Sequence, residues 1–496
     1  MVLFGGLAVL FPLASAFCGF APYRDQHLGT ALIYMNQGVD LWHAQIVGFN
    51  ANHVPTMLEP PLWQAGAAFA MRALGGWWGG ANLFSLAIFA LGIFPIYHMG
   101  QRLHGSPGAW GVVVAFLAQP LVFEFAGTAS PDGMSLVAAL WFYDRLRAYA
   151  LQGGWKRGLV AAGLSVLSAT LKLPFFMTAG LAVAWSVLPG NLRRTSLWLR
   201  LIAVALVASA VFWGWSRYCD RWFERAMWPL VDLRIGHNPE MVQWYFGDWA
   251  YRLSPGHWVK AVWRMANVLV GSFALLGVLA IGYLNLKNRE ARAWLIGAIL
   301  TTAVFTHLVF HHWHYYLMFS PAVALALTGG GFWLFDRCFP VGDARRIVAG
   351  AAGMILLAAS LFQGLVARKI VLQFDPFPGE AAARIAAKTS SHDRLLIAGG
   401  GWGGDLLFRS HRDGLSIWNT RFLENPGNLK IAHEKGFTKL VIVRESPLME
   451  SIQRGNPGGS GYRSQPFSDY LSPATDKLPV LYQDERLMIL DFAGDT

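Results

Sequence analysis

The feature that most limits what this chain can become is a succession of long apolar runs, from 2–21 to 346–367, separated by short loops. A run of about 20 apolar residues crosses the bilayer core as a helix, because in lipid only helices and closed barrels satisfy every backbone hydrogen bond. The loops carry the orientation signal. Basic residues gather at Gln101-Arg102-Leu103-His104, Lys156-Arg157, Arg193-Arg194, Lys287 to Arg292 and Asp336-Arg337, and the spacing of the runs puts all of them on one side. The positive-inside rule makes that side the cytoplasm. Of the 496 residues only 14% are charged, against about 25% in soluble proteins. The net charge of +11 belongs to these loops and forms no basic patch, which excludes nucleic acid as a partner. Cys18, Cys219 and Cys338 are far apart, so neither a disulfide framework nor a zinc motif is present.

The pattern predicts an α-helical polytopic membrane protein with about 11 transmembrane helices, at about 2–21, 80–100, 108–126, 134–150, 158–172, 175–189, 197–215, 262–284, 293–310, 317–335 and 346–367. The first is read as uncleaved, having no basic n-region. A segment at 62–76, interrupted by Arg72, and an aromatic stretch at 216–260 are expected to lie in the membrane interface. After 368 the composition shifts, so 369–496 is expected to be a small extracytoplasmic α/β domain. Arg394–Ala398 and Lys439–Val443 read as strands, and Pro479–Tyr482 with Leu487–Leu490 as a hairpin. The glycine run 399–404 reads as a tight strand-to-helix turn, since its spacing is not that of a dinucleotide fingerprint.

On this topology the unusual polar residues converge on the outer ends of the spans. The loop 21–62 holds Asp25 and Glu59, both beside apolar segments where an ionised carboxylate needs a partner or a task. Asp25 reads either as a general base or as a helix cap neutralised by Arg24. Glu59, ahead of Pro60-Pro61, reads as a positioning acid or as a cap. Asp132, in Ser130-Pro131-Asp132-Gly133, could equally be ordinary turn chemistry. Lys172, among Leu171, Leu173, Pro174, Phe175 and Phe176, must snorkel or meet an anion, and a lipid phosphate is a natural one. The imidazoles and phenols of His311-His312-Trp313-His314-Tyr315-Tyr316 suit donation to phosphate better than zinc binding.

Taken in order, these segments resemble the GT-C fold glycosyltransferases, in the branch of protein mannosyltransferases and lipid A aminoarabinose transferases. The likeness rests on Asp25 after the first span, Gly38-Val39-Asp40-Leu41, Glu59-Pro60-Pro61-Leu62-Trp63 and Pro131-Asp132-Gly133-Met134-Ser135-Leu136. Thr170-Leu171-Lys172-Leu173-Pro174 looks like the family's Thr-Lys-x-Pro with one residue inserted, and His314-Tyr315-Tyr316-Leu317 to Pro321 like its His-x-Tyr-Tyr-Leu segment. Where the family often has Asp-Glu, this chain has Asp25-Gln26, which leaves one carboxylate there.

The resemblance implies transfer of a sugar, with inversion, from a polyprenyl-phosphate donor to a lipid, glycan or protein acceptor on the outer face of a bacterial inner membrane. Asp25 would be the catalytic base. Glu59, Asp132 and Arg24 would position acceptor or sugar, and Lys172, His314, Tyr315 and Tyr316 would hold the donor phosphate. No metal is required, although Asp25 and Glu59 leave room for a divalent cation. Two rivals are a lipid-linked sugar flippase, which would show paired repeats, and a non-catalytic scaffold, which would have no use for acids gathered at one face.

Overall fold

The computed structural model of the chain describes residues 25–43, 45–47, 54–55, 59–77, 79–226, 239–271, 273–285, 289–338, 377–398, 405–417, 426–443, 475 and 477–492. The expected first and last spans, Arg24, much of the loop between 43 and 59, the glycine run 399–404 and the side chain of Asp25 lie outside the described residues. The chain divides into two compact units. One comprises residues 1–20, 82–216 and 240–371; the other comprises 21–81, 217–239 and 372–496.

In chain order the elements begin with α1 (Asp25–Gln37), the short strands β1 (Gln45–Val47) and β2 (Val54–Pro55), α2 (Leu62–Ala73) and α3 (Gly79–Leu91). Then come α4 (Ile93–Leu117), α5 (Pro120–Gly127), α6 (Pro131–Gln152), α7 (Trp155–Leu171), α8 (Leu173–Val187) and α9 (Thr195–Ala226). They are followed by α10 (Pro239–Phe246), α11 (Trp249–Leu253), α12 (Pro255–Met265), α13 (Phe273–Asn285), α14 (Arg289–Val304), α15 (Thr306–His311) and α16 (Ser320–Cys338).

Three stretches among the described residues, Gly79–Ser106, Thr195–Arg221 and Trp313–Arg337, are long and apolar enough to cross a membrane. A fourth is the bent pair Gly108–Leu117 and Pro120–Gly127, whose axes differ by 74°. The sequence reads this pair as one straight span. The structure breaks it because Gln119, ahead of Pro120, is extended, as the proline ring requires of its predecessor. Leu173–Val187 and Arg292–Val304 are apolar but shorter.

The helical unit packs around Phe116, Phe142, Tyr143, Phe175, Trp294 and Tyr316, all essentially inaccessible. Two helix contacts depend on glycine. A Cβ on Gly330 of α16 would lie 2.0 Å from the Val278 carbonyl oxygen of α13, and one on Gly297 of α14 would lie 2.5 Å from the Thr178 carbonyl oxygen of α8. Small residues at such crossings let backbones meet where lipid supplies no hydrophobic drive between helices. Within α4, just ahead of Gly105, where the backbone leaves helical geometry (φ 70°, ψ −178°), a charge network joins three helices. Arg102 donates through Nε and Nη2 to Glu290 of α14, at 2.9 and 2.6 Å, and through Nη1 to Asp144 of α6, at 2.8 Å. Arg147 lies 3.4 Å from Glu290 and His98 3.5 Å from Asp144.

The other unit contains α17 (Phe377–Lys388), β3 (Arg394–Ala398), α18 (Asp405–Ser410), β4 (Asp413–Ile417), α19 (Pro426–Glu434), β5 (Lys439–Val443), β6 (Val480–Gln483) and β7 (Leu487–Asp491). Its sheet has the order β4-β3-β5-β7-β6, with β4, β3 and β5 parallel and β7 and β6 added antiparallel. The expected strands and hairpin are present. The strand β4, with Gly414 and Ser416 in five residues, has too little apolar alternation to be read from sequence. Arg412 closes the C-terminal end of α17 by donating to the carbonyls of Ala386 and Thr389, both at 2.8 Å.

In this unit α1 and α2 run parallel. His27 meets Gln64 at 2.8 Å, and Arg72 donates to the Met35 carbonyl at 2.8 Å, each pair 37 residues apart in sequence. The segment expected to lie in the interface thus has a packed face, with Trp63, Gln64, Ala67, Ala68 and Met71 buried.

The glycine contacts yield a stability prediction. Gly330→Val is expected to lower the thermal midpoint in detergent, by the about 1–3 kcal/mol of an overpacked interior. Gly331→Val, with open space around it, should leave the midpoint unchanged in the same circular-dichroism melt.

Candidate active site

Lys172 sits where one helix stops and the next begins. The ring of Pro174 would clash with the carbonyl four residues back, so α7 cannot run through it. Lys172 therefore adopts an extended backbone, φ −158° and ψ 109°, ending α7 and opening α8. Its carbonyl accepts from Phe175 and Phe176, at 3.1 and 3.3 Å, which restarts the helix. The break turns the side chain inward: only 4% of it is exposed, and its Nζ lies 2.8 Å from Oδ1 of Asp132.

Asp132 is placed by the start of α6. Ser130 is extended and caps the helix, its Oγ accepting from the Asp132 amide at 3.2 Å, and Pro131 takes the first turn. The Ser130 hydroxyl in turn donates to Oδ2 of Asp132. The turn chemistry and the buried ion pair are thus both present, and the turn aims the carboxylate. A carboxylate in the first turn is also favoured by the helix dipole. Asp132 is wholly inaccessible, where an isolated ion would be prohibitive.

The third part is the 3₁₀ turn Trp313–Phe319 between α15 and α16. The Trp294 indole donates to the Met318 carbonyl at 2.7 Å, Gln119 Nε2 to the Ser320 carbonyl at 2.8 Å, and Thr178 Oγ1 to the Met318 sulfur at 3.3 Å. So anchored, the turn brings His314 Nε2 to 3.8 Å from Asp132 Oδ1. It also places Lys172 Nζ 5.1 Å from the centre of the Tyr315 ring, within cation–π range. His314 packs on Tyr315, with centroids 4.4 Å apart, and 6.3 Å from Phe125. Cation, imidazole, phenol and carboxylate therefore come from helices distant in sequence. The cluster pairs one buried ammonium with one buried carboxylate and sets an imidazole and a tyrosine ring beside them.

Of the residues expected in the site, the structure gathers Asp132, Lys172, His314 and Tyr315. Tyr316 is buried in the helical core. Asp25 and Glu59 belong to the other unit; the parallel packing of α1 and α2 sets both at the same end of that pair. Pro61, not Glu59, holds the N-cap position of α2. Sequence reasoning missed the capping role of Ser130, the Arg102–Asp144–Glu290 network, and the extension of the histidine cluster through Trp244 and His307 into an aromatic train. In the train Trp244 packs on His307, His311 and His312 at 5.1, 4.6 and 5.5 Å, and His312 lies 5.2 Å from His314. Among the described residues no three His, Cys, Asp or Glu side chains come together closely enough to hold a metal ion.

No protein-family profile matches the sequence, and no curated protein matches it at the sequence level. Solved structures do match, and they define a fold class: the chain has the GT-C fold. It is similar over its whole length to ArnT of Cupriavidus metallidurans bound to undecaprenyl phosphate, with a TM-score of 0.59, 14% identity and 98% of that chain covered. The apo form of the same protein gives a TM-score of 0.54, covering 99% of this chain and 98% of that one at 14% identity. The oligosaccharyltransferase of Archaeoglobus fulgidus, in complex with zinc and sulfate, gives 0.51 at 12% identity, covering 88% of this chain and 67% of that one.

The ion pair makes its own prediction. Lys172→Met leaves Asp132 buried beside an apolar group and is expected to cost about 3–5 kcal/mol. Adding Asp132→Leu should recover most of that loss in the same unfolding assay.

Proposed function

We propose that this chain is an integral-membrane glycosyltransferase. In this reading it moves a sugar from a polyprenyl-phosphate donor to a lipid, glycan or protein acceptor at the outer face of the membrane. The observation that carries the reading is the cluster of Lys172, His314 and Tyr315 about one buried carboxylate, in a GT-C fold that also serves an ArnT bound to undecaprenyl phosphate.

The chemistry follows from the donor. An acceptor hydroxyl or amine attacks the anomeric carbon from the face opposite the phosphate. The bond between that carbon and the phosphate oxygen breaks, polyprenyl phosphate departs, and the configuration inverts. Negative charge grows on the departing phosphate, and preorganised donors stabilise it where water is excluded. Lys172 and His314 fill that role, with Tyr315 beside them. Asp132 holds Lys172 in place. Asp25 takes the proton that the acceptor loses, and Glu59 and Arg24 orient acceptor or sugar.

Asp25→Asn is expected to abolish transfer in membranes supplied with a polyprenyl-phosphate sugar while leaving expression and the melt unchanged; near-normal turnover would remove Asp25 from this role. For the donor, undecaprenyl phosphate is expected to bind more weakly to the double variant Lys172→Ala/Asp132→Ala, which removes both charges of the pair together. Unchanged affinity would end the phosphate role of Lys172.

A further inference from the structure

The turn after α1, residues 38–43, exposes an apolar tip. Val39 is 52% exposed, Leu41 38% and Trp42 60%, a costly display unless something apolar covers it. The turn is rigidly built. Asp40 Oδ1 accepts from the amides of Trp42 and His43, at 2.9 and 3.1 Å, and Oδ2 meets His43 Nδ1 at 2.8 Å. The Tyr34 hydroxyl, buried in α1, donates to the Asp40 carbonyl. A flexible loop could fold its tryptophan away; this one holds it out.

What covers the tip is indicated by its neighbour. The Tyr218 hydroxyl donates to the Trp42 carbonyl at 2.9 Å, and the two rings meet edge to face at 5.6 Å. Tyr218 lies at the end of the apolar stretch Thr195–Arg221 of α9, long enough to cross a bilayer and mostly unburied along its length. Leu199, Leu206 and Trp213 on that stretch are each more than 60% exposed, as lipid-facing side chains are. A Tyr near the end of such a stretch suits the depth where hydrocarbon gives way to headgroups, the level Trp and Tyr prefer because their rings are apolar with one polar atom. Trp42 is held against that Tyr.

We propose that the 38–43 turn is a membrane anchor, with Val39, Leu41 and Trp42 inserted into the outer interface of the bilayer beside the end of α9. Its partner is the lipid surface itself. The anchor fixes the height of α1, whose first residue is Asp25, relative to lipid headgroups. The inference stands on the membrane location of α9 and not on the reaction proposed above.

The test is depth measurement by spin-label relaxation on the full chain in lipid nanodiscs, with Cys18, Cys219 and Cys338 replaced. Labels at Val39→Cys and Leu41→Cys are compared with Leu206→Cys on the span and Val480→Cys on the exposed edge of the C-terminal sheet. Val39 and Leu41 are expected to relax more readily with oxygen than with a water-soluble nickel chelate, as Leu206 does, with Val480 showing the reverse. Labels at 39 and 41 that follow Val480 would overturn the anchor. If the Leu41 label perturbs the turn, the Val39→Cys label, which leaves Leu41 and Trp42 in place, gives the reading.

Discussion

The helical unit is organised by the need to hold one ammonium and one carboxylate together out of water. Lys172 and Asp132 are each nearly inaccessible, and taking either ion alone from water would cost several kcal/mol. Each local feature around them serves the pairing. Pro174 breaks the helix so that Lys172 faces inward, Ser130 caps α6 so that Asp132 meets it, and the 3₁₀ turn adds His314 from a third direction. Replacing such a pair with apolar residues of similar volume is often neutral or stabilising. Its presence here therefore asks for a use, and the proposed donor phosphate, which gains charge as it departs, is the one we assign it.

The two buried charge groups, one at the start of α6 and the other at Asp144 further along it, differ in kind. The Lys172–Asp132–His314 group joins a single cation to groups that can donate to an anion. The Arg102–Asp144–Glu290 network is a bidentate guanidinium among carboxylates, with Arg147 alongside, and it ties α4, α6 and α14 together. Arg suits that fixed task because its planar fork matches carboxylate geometry; Lys is a compact point charge on a flexible stem and adapts more readily to a changing partner. The glycine crossings between α13 and α16, and between α8 and α14, bring backbones into contact elsewhere in the same unit.

Much of this was legible in the sequence because membrane solvation writes itself into composition. The apolar runs, the lone Lys172 among them and the strands around the hairpin at Asp484 were all readable. What was not readable has physical causes. That Lys172 is paired with Asp132 depends on a helix break whose effect on side-chain direction is three-dimensional, since the two are 40 positions apart. The bend at Gln119 looks like an uninterrupted apolar run until Pro120 is weighed against its predecessor. The Arg102 network reads as a topology signal, and counting Lys and Arg in loops says nothing about which of them turn inward. The strand β4 was hidden by Gly and Ser, because its pairing with β3 and not its own pattern makes it a strand.

The central proposal is that this chain cleaves a sugar from a lipid phosphate and passes it on with inversion. The direct measurement is the fate of a polyprenyl-phosphate sugar of known anomeric configuration, given to the purified chain in nanodiscs with a cell-envelope extract as acceptor. The account predicts free polyprenyl phosphate together with a product whose anomeric proton coupling shows the opposite configuration. Donor recovered intact, or a product that keeps the donor's configuration, would contradict it.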